Sequence, residues 1–74
     1  MIKKIEGIFR EILDDDQIVL KNETNAEDIE DWDSLNHVYL IVAIEKEFGV
    51  KFNSSEIQKF RNIGGIVECI ETKL

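Results

Sequence analysis

Residues 34–48 read SLNHVYLIVAIEKEF, with Asp33 before them and Gly49 after. Leu35, Val38, Ile41, Val42, Ile44 and Phe48 recur at helical spacing. Taken alone, the β-branched run from Val38 to Ile44 would also suit a buried strand. Length separates the two, because fifteen residues between an Asp-Ser start and a glycine stop fit a helix. Glu45, Lys46 and Glu47 read as a last turn, and Gly49 as the glycine just past a helix end. A helix apolar on most of its surface is expected to lie buried among others.

Upstream, Ile2, Ile5, Ile8, Phe9, Ile12 and Leu13 form one face of an amphipathic helix, with Lys3, Lys4, Glu6, Arg10 and Glu11 opposite. Asp14-Asp15-Asp16 should stop it, since acids oppose the dipole at a helix C-terminus. Residues 14–33 show no helical period. Their apolar members, Ile18, Val19, Leu20 and Ile29, are expected to tuck over the core. So long a connection in so small a domain points to a functional loop. Downstream, Asn53 with Glu56 forms a capping box opening a short helix through Phe60, with Ile57 and Phe60 inward. Asn62 begins a last helix with Ile63, Ile66, Val67, Ile70 and Leu74 on one face, weakened at its start by Gly64-Gly65. The expected fold is all-α: a small four-helix bundle, three longer helices and one short, with a long first loop, spanning residues 1–74 as a single domain.

Composition limits the functions open to 74 residues of net charge −7. Nucleic-acid binding wants a basic face, and an anionic membrane surface wants one too. The longest apolar run without Tyr39, Leu40–Ile44, is too short for membrane insertion. Lys3 and Lys4 precede no continuous apolar segment, so no signal peptide is expected. One cysteine, Cys69, allows no internal disulfide, which suggests a reducing, cytoplasmic setting. A core this thin leaves little room for a catalytic pocket. The chain is expected as a free-standing monomer.

The acidic excess is local. Residues 14–33 hold nine acids against Lys21, while the flanking segments are close to neutral. One-sided charge favours an electrostatic docking surface for basic partners over a merely solvated loop. A calcium-binding EF-hand loop is excluded. Counted from Asp14, its glycine and glutamate positions hold Val19 and Asn25; counted from Asp28, they hold Asp33 and Tyr39. Non-specific screening by divalent cations is still expected to order so acidic a loop.

Ser34 opens the most apolar helix. Serine and aspartate are both favoured N-caps, so either Asp33 or Ser34 can serve. A hydroxyl there has a second use. The first backbone N–H groups and the positive dipole end favour an anion, and a phosphodiester on Ser34 would sit in that field. His37 lies on the same face, but a Ser-His pair without an orienting third group, an oxyanion hole or a pocket does not make a hydrolase. His37 therefore reads as a surface residue. Trp32 is either a core plug over the loop or an exposed contact. Cys69 reads as a small buried hydrophobe.

Asp33-Ser34-Leu35, followed by Val38, Leu40, Ile41, Ile44, Glu45, Phe48 and Gly49, resembles the core motif of acyl carrier proteins. The likeness covers essentially the whole chain in length, helix order, long first loop and acidity. It implies a covalent 4′-phosphopantetheine on Ser34, added by a separate phosphopantetheinyl transferase, whose terminal thiol carries acyl groups as thioesters. The protein would then be a carrier and not an enzyme. Asp33 would help engage the transferase, and Leu35 would be both a core residue and part of the docking surface. Asp31, Asn36, Tyr39 and Glu45 complete that surface toward acyl-loading and acyl-using enzymes with basic faces. Two departures point to a specialised lipid or secondary-metabolite pathway. Glu30-Asp31-Trp32 stands where the family often has Leu-Gly, and Asn36, Tyr39 and Lys46 stand where many fatty-acid carriers have acids. An aminoacyl or peptidyl carrier, or an acidic interaction module without a prosthetic group, are the alternatives. A bundle that opens between helices would shelter an acyl chain.

Overall fold

The computed structural model describes residues 1–60 and 62–74. Four helices follow one another: α1 (Ile2–Ile12), α2 (Ser34–Phe48), α3 (Ser54–Lys59) and α4 (Ile63–Lys73), with a single 3-10 turn at Ala26–Asp28 inside the long first loop. No strand occurs among the described residues; an isolated antiparallel bridge joins Asn25 to Asn62. One hydrophobic cluster unites Ile5 and Phe9 of α1, Leu40, Ile41 and Ile44 of α2, Phe60, and Ile63, Ile66 and Ile70 of α4. α1 packs chiefly on α2.

The helix ends follow their sequence signals, with one change of cause. Asn53 and Glu56 cap each other at the start of α3, Asn62 accepts the Gly65 amide at α4, and Gly49 closes α2 at φ 66°. α1 ends because Asp14 takes the left-handed conformation at φ 52° and the Asp15 amide turns back to the Arg10 carbonyl at 3.0 Å. That Schellman geometry ends the helix, and the charge of the acids is secondary.

The loop is strapped to α1 by polar groups. Arg10 Nε donates to the Ile18 carbonyl at 2.8 Å, and Glu6 accepts the Leu20 amide at 3.0 Å. Between these anchors the side chains alternate in burial. Ile18 and Leu20 are buried and Val19 is 63% exposed, which corrects the expectation that all the loop's apolar residues turn inward. Further on, the loop docks against the start of α4. Ile63 and Gly64 amides donate to the carbonyls of Thr24 and Asn22, each at 2.8 Å. A Cβ on Gly64 would meet the Asn22 oxygen at 3.0 Å. This glycine allows backbone to approach backbone, and any cost to helix propensity is secondary.

Two other expectations need correction. α2 is not buried on all sides: Leu35, Val38, Tyr39 and Val42 are exposed, so Leu35 is no core residue. Only Leu40, Ile41 and Ile44 of α2 are buried, because just three helices and a loop are available to cover it. Leu74 is 72% exposed, past the last packed turn of α4.

Candidate functional site

The site is the start of α2 and what faces it. Asp33, in extended conformation, is the N-cap; its side chain accepts the Asn36 amide at 2.8 Å. Ser34 is therefore the first helical residue, exposed, with no capping duty. Its hydroxyl stands at the positive end of a fifteen-residue helix, where an anionic substituent is favoured. Asn36 braces the turn from the other side, donating to the Asp31 carbonyl at 2.8 Å.

A groove of about 440 Å³ opens beside Ser34, lined by Ala26, Trp32, Asp33, His37, Ile57 and Gln58. Trp32 is the core plug. It is 6% exposed and meets Phe9 edge-on, with ring centroids 4.9 Å apart. It also forms one wall of the groove. His37, expected on the surface, is half-buried between the loop and α3. The Trp32 indole N–H donates to His37 Nδ1 at 2.9 Å. Nε2 must then carry the ring proton, and it donates to the Ile57 carbonyl at 3.1 Å. Both nitrogens are committed, so His37 is no general base toward Ser34. Five positions separate Trp32 from His37, and no sequence period announces such a bond.

The other expected docking residues are spread around this point. Asp31, Asp33, Leu35 and Tyr39 are exposed; Asn36 is half-buried. Glu45 is half-buried at the far end of α2 and accepts the Phe52 amide at 2.8 Å, so it also orders the turn after the helix.

A second polar cluster joins α3 to α4. Glu56 caps α3, pairs with Lys73 at 3.0 Å and accepts the Cys69 thiol at 3.3 Å. The Asn53 backbone N–H, then Lys73, hold the Glu56 carboxyl below its ordinary range. Burial, then the Glu56 carboxylate, push the Cys69 thiol up. Cys69 is thus a protonated, hydrogen-bonded bridge between helices, more than a small hydrophobe. Among the described residues no group of three or more His, Cys, Asp or Glu converges to hold a metal ion. No helix among them is long and apolar enough to cross a membrane.

Fold and site define a small helical domain that presents a serine oxygen at a helix start, with no catalytic constellation around it among the described residues. Comparison with known proteins gives that class a family. The family model described as "Phosphopantetheine attachment site" matches residues 3–70. The acyl carrier protein of Thermotoga maritima is 35% identical over 74 residues, covering 100% of this chain and 91% of that protein. That of Helicobacter pylori is 34% identical over 73 residues, covering 96% and 91%. The solution structure of holo acyl carrier protein from Geobacter metallireducens superposes with a TM-score of 0.89 at 43% identity, covering 97% of this chain and 83% of that one. The chain belongs to the acyl carrier protein family, whose members are carriers, not catalysts, with a covalently attached 4′-phosphopantetheine. The residues here suit that group: an exposed hydroxyl at a helix N-terminus, beside a groove with polar and apolar walls.

Proposed function

We propose that Ser34 is the attachment point of the 4′-phosphopantetheine and that the chain carries acyl intermediates for a specialised lipid or secondary-metabolite pathway. When bound, the group supplies a flexible arm ending in the thiol that holds the cargo as a thioester. One observation carries the reading. Asp33 does the capping, so the Ser34 hydroxyl is exposed in the field of α2 with nothing else to do. Leu35 points outward, as a transferase contact and not a core residue.

The specialised pathway rests on the character of the docking face. From Ser34 to Ile44, α2 carries no Asp, Glu, Lys or Arg, and its exposed side is Leu35, Val38, Tyr39 and Val42. Acids lie before it, at Asp31 and Asp33, and at its far end, at Glu45 and Glu47. Phosphopantetheinyl transferase and acyl-handling enzymes would meet an apolar centre and set their own basic groups against its acidic rim, an arrangement that selects partners by shape as well as charge. A reducing, cytoplasmic setting suits both Cys69 and the arm's thiol.

The chain has three serines, and Ser54 also begins a helix behind a capping asparagine. That makes it an internal control. Incubation with a fluorescent coenzyme A analogue, magnesium and a promiscuous transferase should label wild type and Ser54→Ala alike and leave Ser34→Ala unlabelled. Labelling of Ser34→Ala would overturn the assignment.

A further inference from the structure

The chain has one tryptophan and one histidine, and they are bonded to each other beside Ser34. We propose that His37 is a proton-sensitive latch that closes the seam between the start of α2 and the end of α3. The inference goes beyond the carrier reading and needs only the unmodified chain.

The neutral ring holds three elements together. Through Nδ1 it accepts from Trp32 at the loop's end; through Nε2 it donates to Ile57 in the last turn of α3. α3 has six residues, too few to persist as a helix without outside support. Its first turn is secured by the Asn53–Glu56 capping box. At its last turn, the Ile57 carbonyl receives the Phe60 amide at 3.3 Å and His37 Nε2. The His37 and Phe60 rings also meet edge-on, with centroids 6.4 Å apart.

A second proton on the ring removes its lone pair. Nδ1–H would then face the Trp32 N–H, donor against donor, and a buried indole N–H would be left without an acceptor. Trp32 cannot easily give way, because its ring is set edge-on against Phe9 in the core. The ring must turn instead, and turning it releases Ile57. Proton uptake thus loosens α3 at the edge of the groove.

Among the described residues, the charged neighbours make no hydrogen bond to the ring. Asp33 lines the same groove but accepts the Asn36 amide. Asp31 is exposed on the loop. On α3, Glu56 is engaged by Lys73 and Asn53, and Lys59 is exposed. On α1, Glu6 and Arg10 pair with each other. Both His37 nitrogens remain on Trp32 and Ile57. Coupling of this kind is reciprocal, so whatever enters the seam will in turn favour proton uptake.

Trp32 is a built-in reporter, since its indole N–H is bonded to His37 and the two ring centroids lie 6.0 Å apart. Unmodified wild type and His37→Gln would be titrated from about pH 8 to about pH 5, the span over which histidine changes charge. Trp32 fluorescence and amide exchange would be followed together, with the Ile57 and Phe60 amides expressed as protection relative to Leu13 at the end of α1. In wild type, fluorescence should move in one single-proton step. Protection at Ile57 and Phe60 should fall roughly five- to tenfold across the same step. Both should be flat in His37→Gln. A fluorescence step with unchanged α3 protection would overturn the latch. So would pH-dependent loosening of α3 that survives in His37→Gln. The wild-type titration decides the first point even if a variant folds poorly. Neither result depends on whether Ser34 is modified.

Discussion

Asp33 accepts the Asn36 amide at 2.8 Å, and that bond releases Ser34 from structural work. The consequence is a separation of stability from modification. Asp33→Ala should cost about 1 kcal/mol of unfolding free energy, and Asp33→Asn far less, since asparagine caps equally well. Ser34→Ala, at an exposed first position, should stay within about 0.5 kcal/mol of wild type. Urea unfolding measures all three. Equal losses in Ser34→Ala and Asp33→Ala would mean that the cap has been assigned to the wrong residue.

The glycines make a paired test of packing against propensity. Gly7 lies exposed within α1, with nothing within 4 Å of a built Cβ. Gly7→Ala should stabilise by about 0.5–1 kcal/mol. Gly64 meets the Asn22 carbonyl oxygen at 3.0 Å. Gly64→Ala should destabilise by about 1–3 kcal/mol despite alanine's better propensity, because backbone must move. Thermal melts of the two variants should therefore shift in opposite directions.

Glu56 and Cys69 predict opposite pH behaviour. The folded state lowers the Glu56 carboxyl, so its contribution is present above its ordinary value of 4.5 and is lost as pH falls below that. Cys69 is raised from 9.0, so its contribution is present below that value and is lost as pH rises above it. Acid unfolding of Glu56→Gln should show a shallower fall than wild type. At mildly alkaline pH, Cys69 should alkylate slowly in the folded chain and faster in Glu56→Gln, where the acceptor that holds the proton is weakened.

Partner engagement should divide between area and charge. Leu35 and Tyr39 are exposed on α2, and their replacement by alanine should raise a transferase's KM roughly tenfold with little change in melting temperature. Asp31→Asn should act mainly by weakening the dependence on salt. Steady-state kinetics at two ionic strengths separates these effects. A Tyr39→Ala variant with unaltered KM would remove Tyr39 from the docking face.

Much of this is legible in the sequence. The capping residues Asn53 and Asn62, the terminal Gly49, and the inward Ile5, Phe9, Ile44, Ile66 and Ile70 follow local rules, because caps and periodicity act within a few residues, whereas the choice of Asp33 over Ser34 as the α2 cap does not. What escaped depends on distant partners. Leu35 and Val42 are as apolar as Ile41, but only the arrangement of α1, α3 and α4 decides which of them is covered. Val19 faces water between the buried Ile18 and Leu20, and no helical period can show that. His37 acquired its role from Trp32 and from Ile57, twenty residues away. Gly64 reads as a defect in a helix, and only the close approach of the Asn22 backbone explains it.

The central claim concerns one oxygen atom, and the intact mass of the chain tests it most directly. After incubation with coenzyme A, magnesium and a phosphopantetheinyl transferase, wild type should gain one phosphopantetheine mass, and fragmentation should place it on Ser34. An adduct on Ser54 or Ser55, or a chain left unmodified by several transferases, would contradict the account.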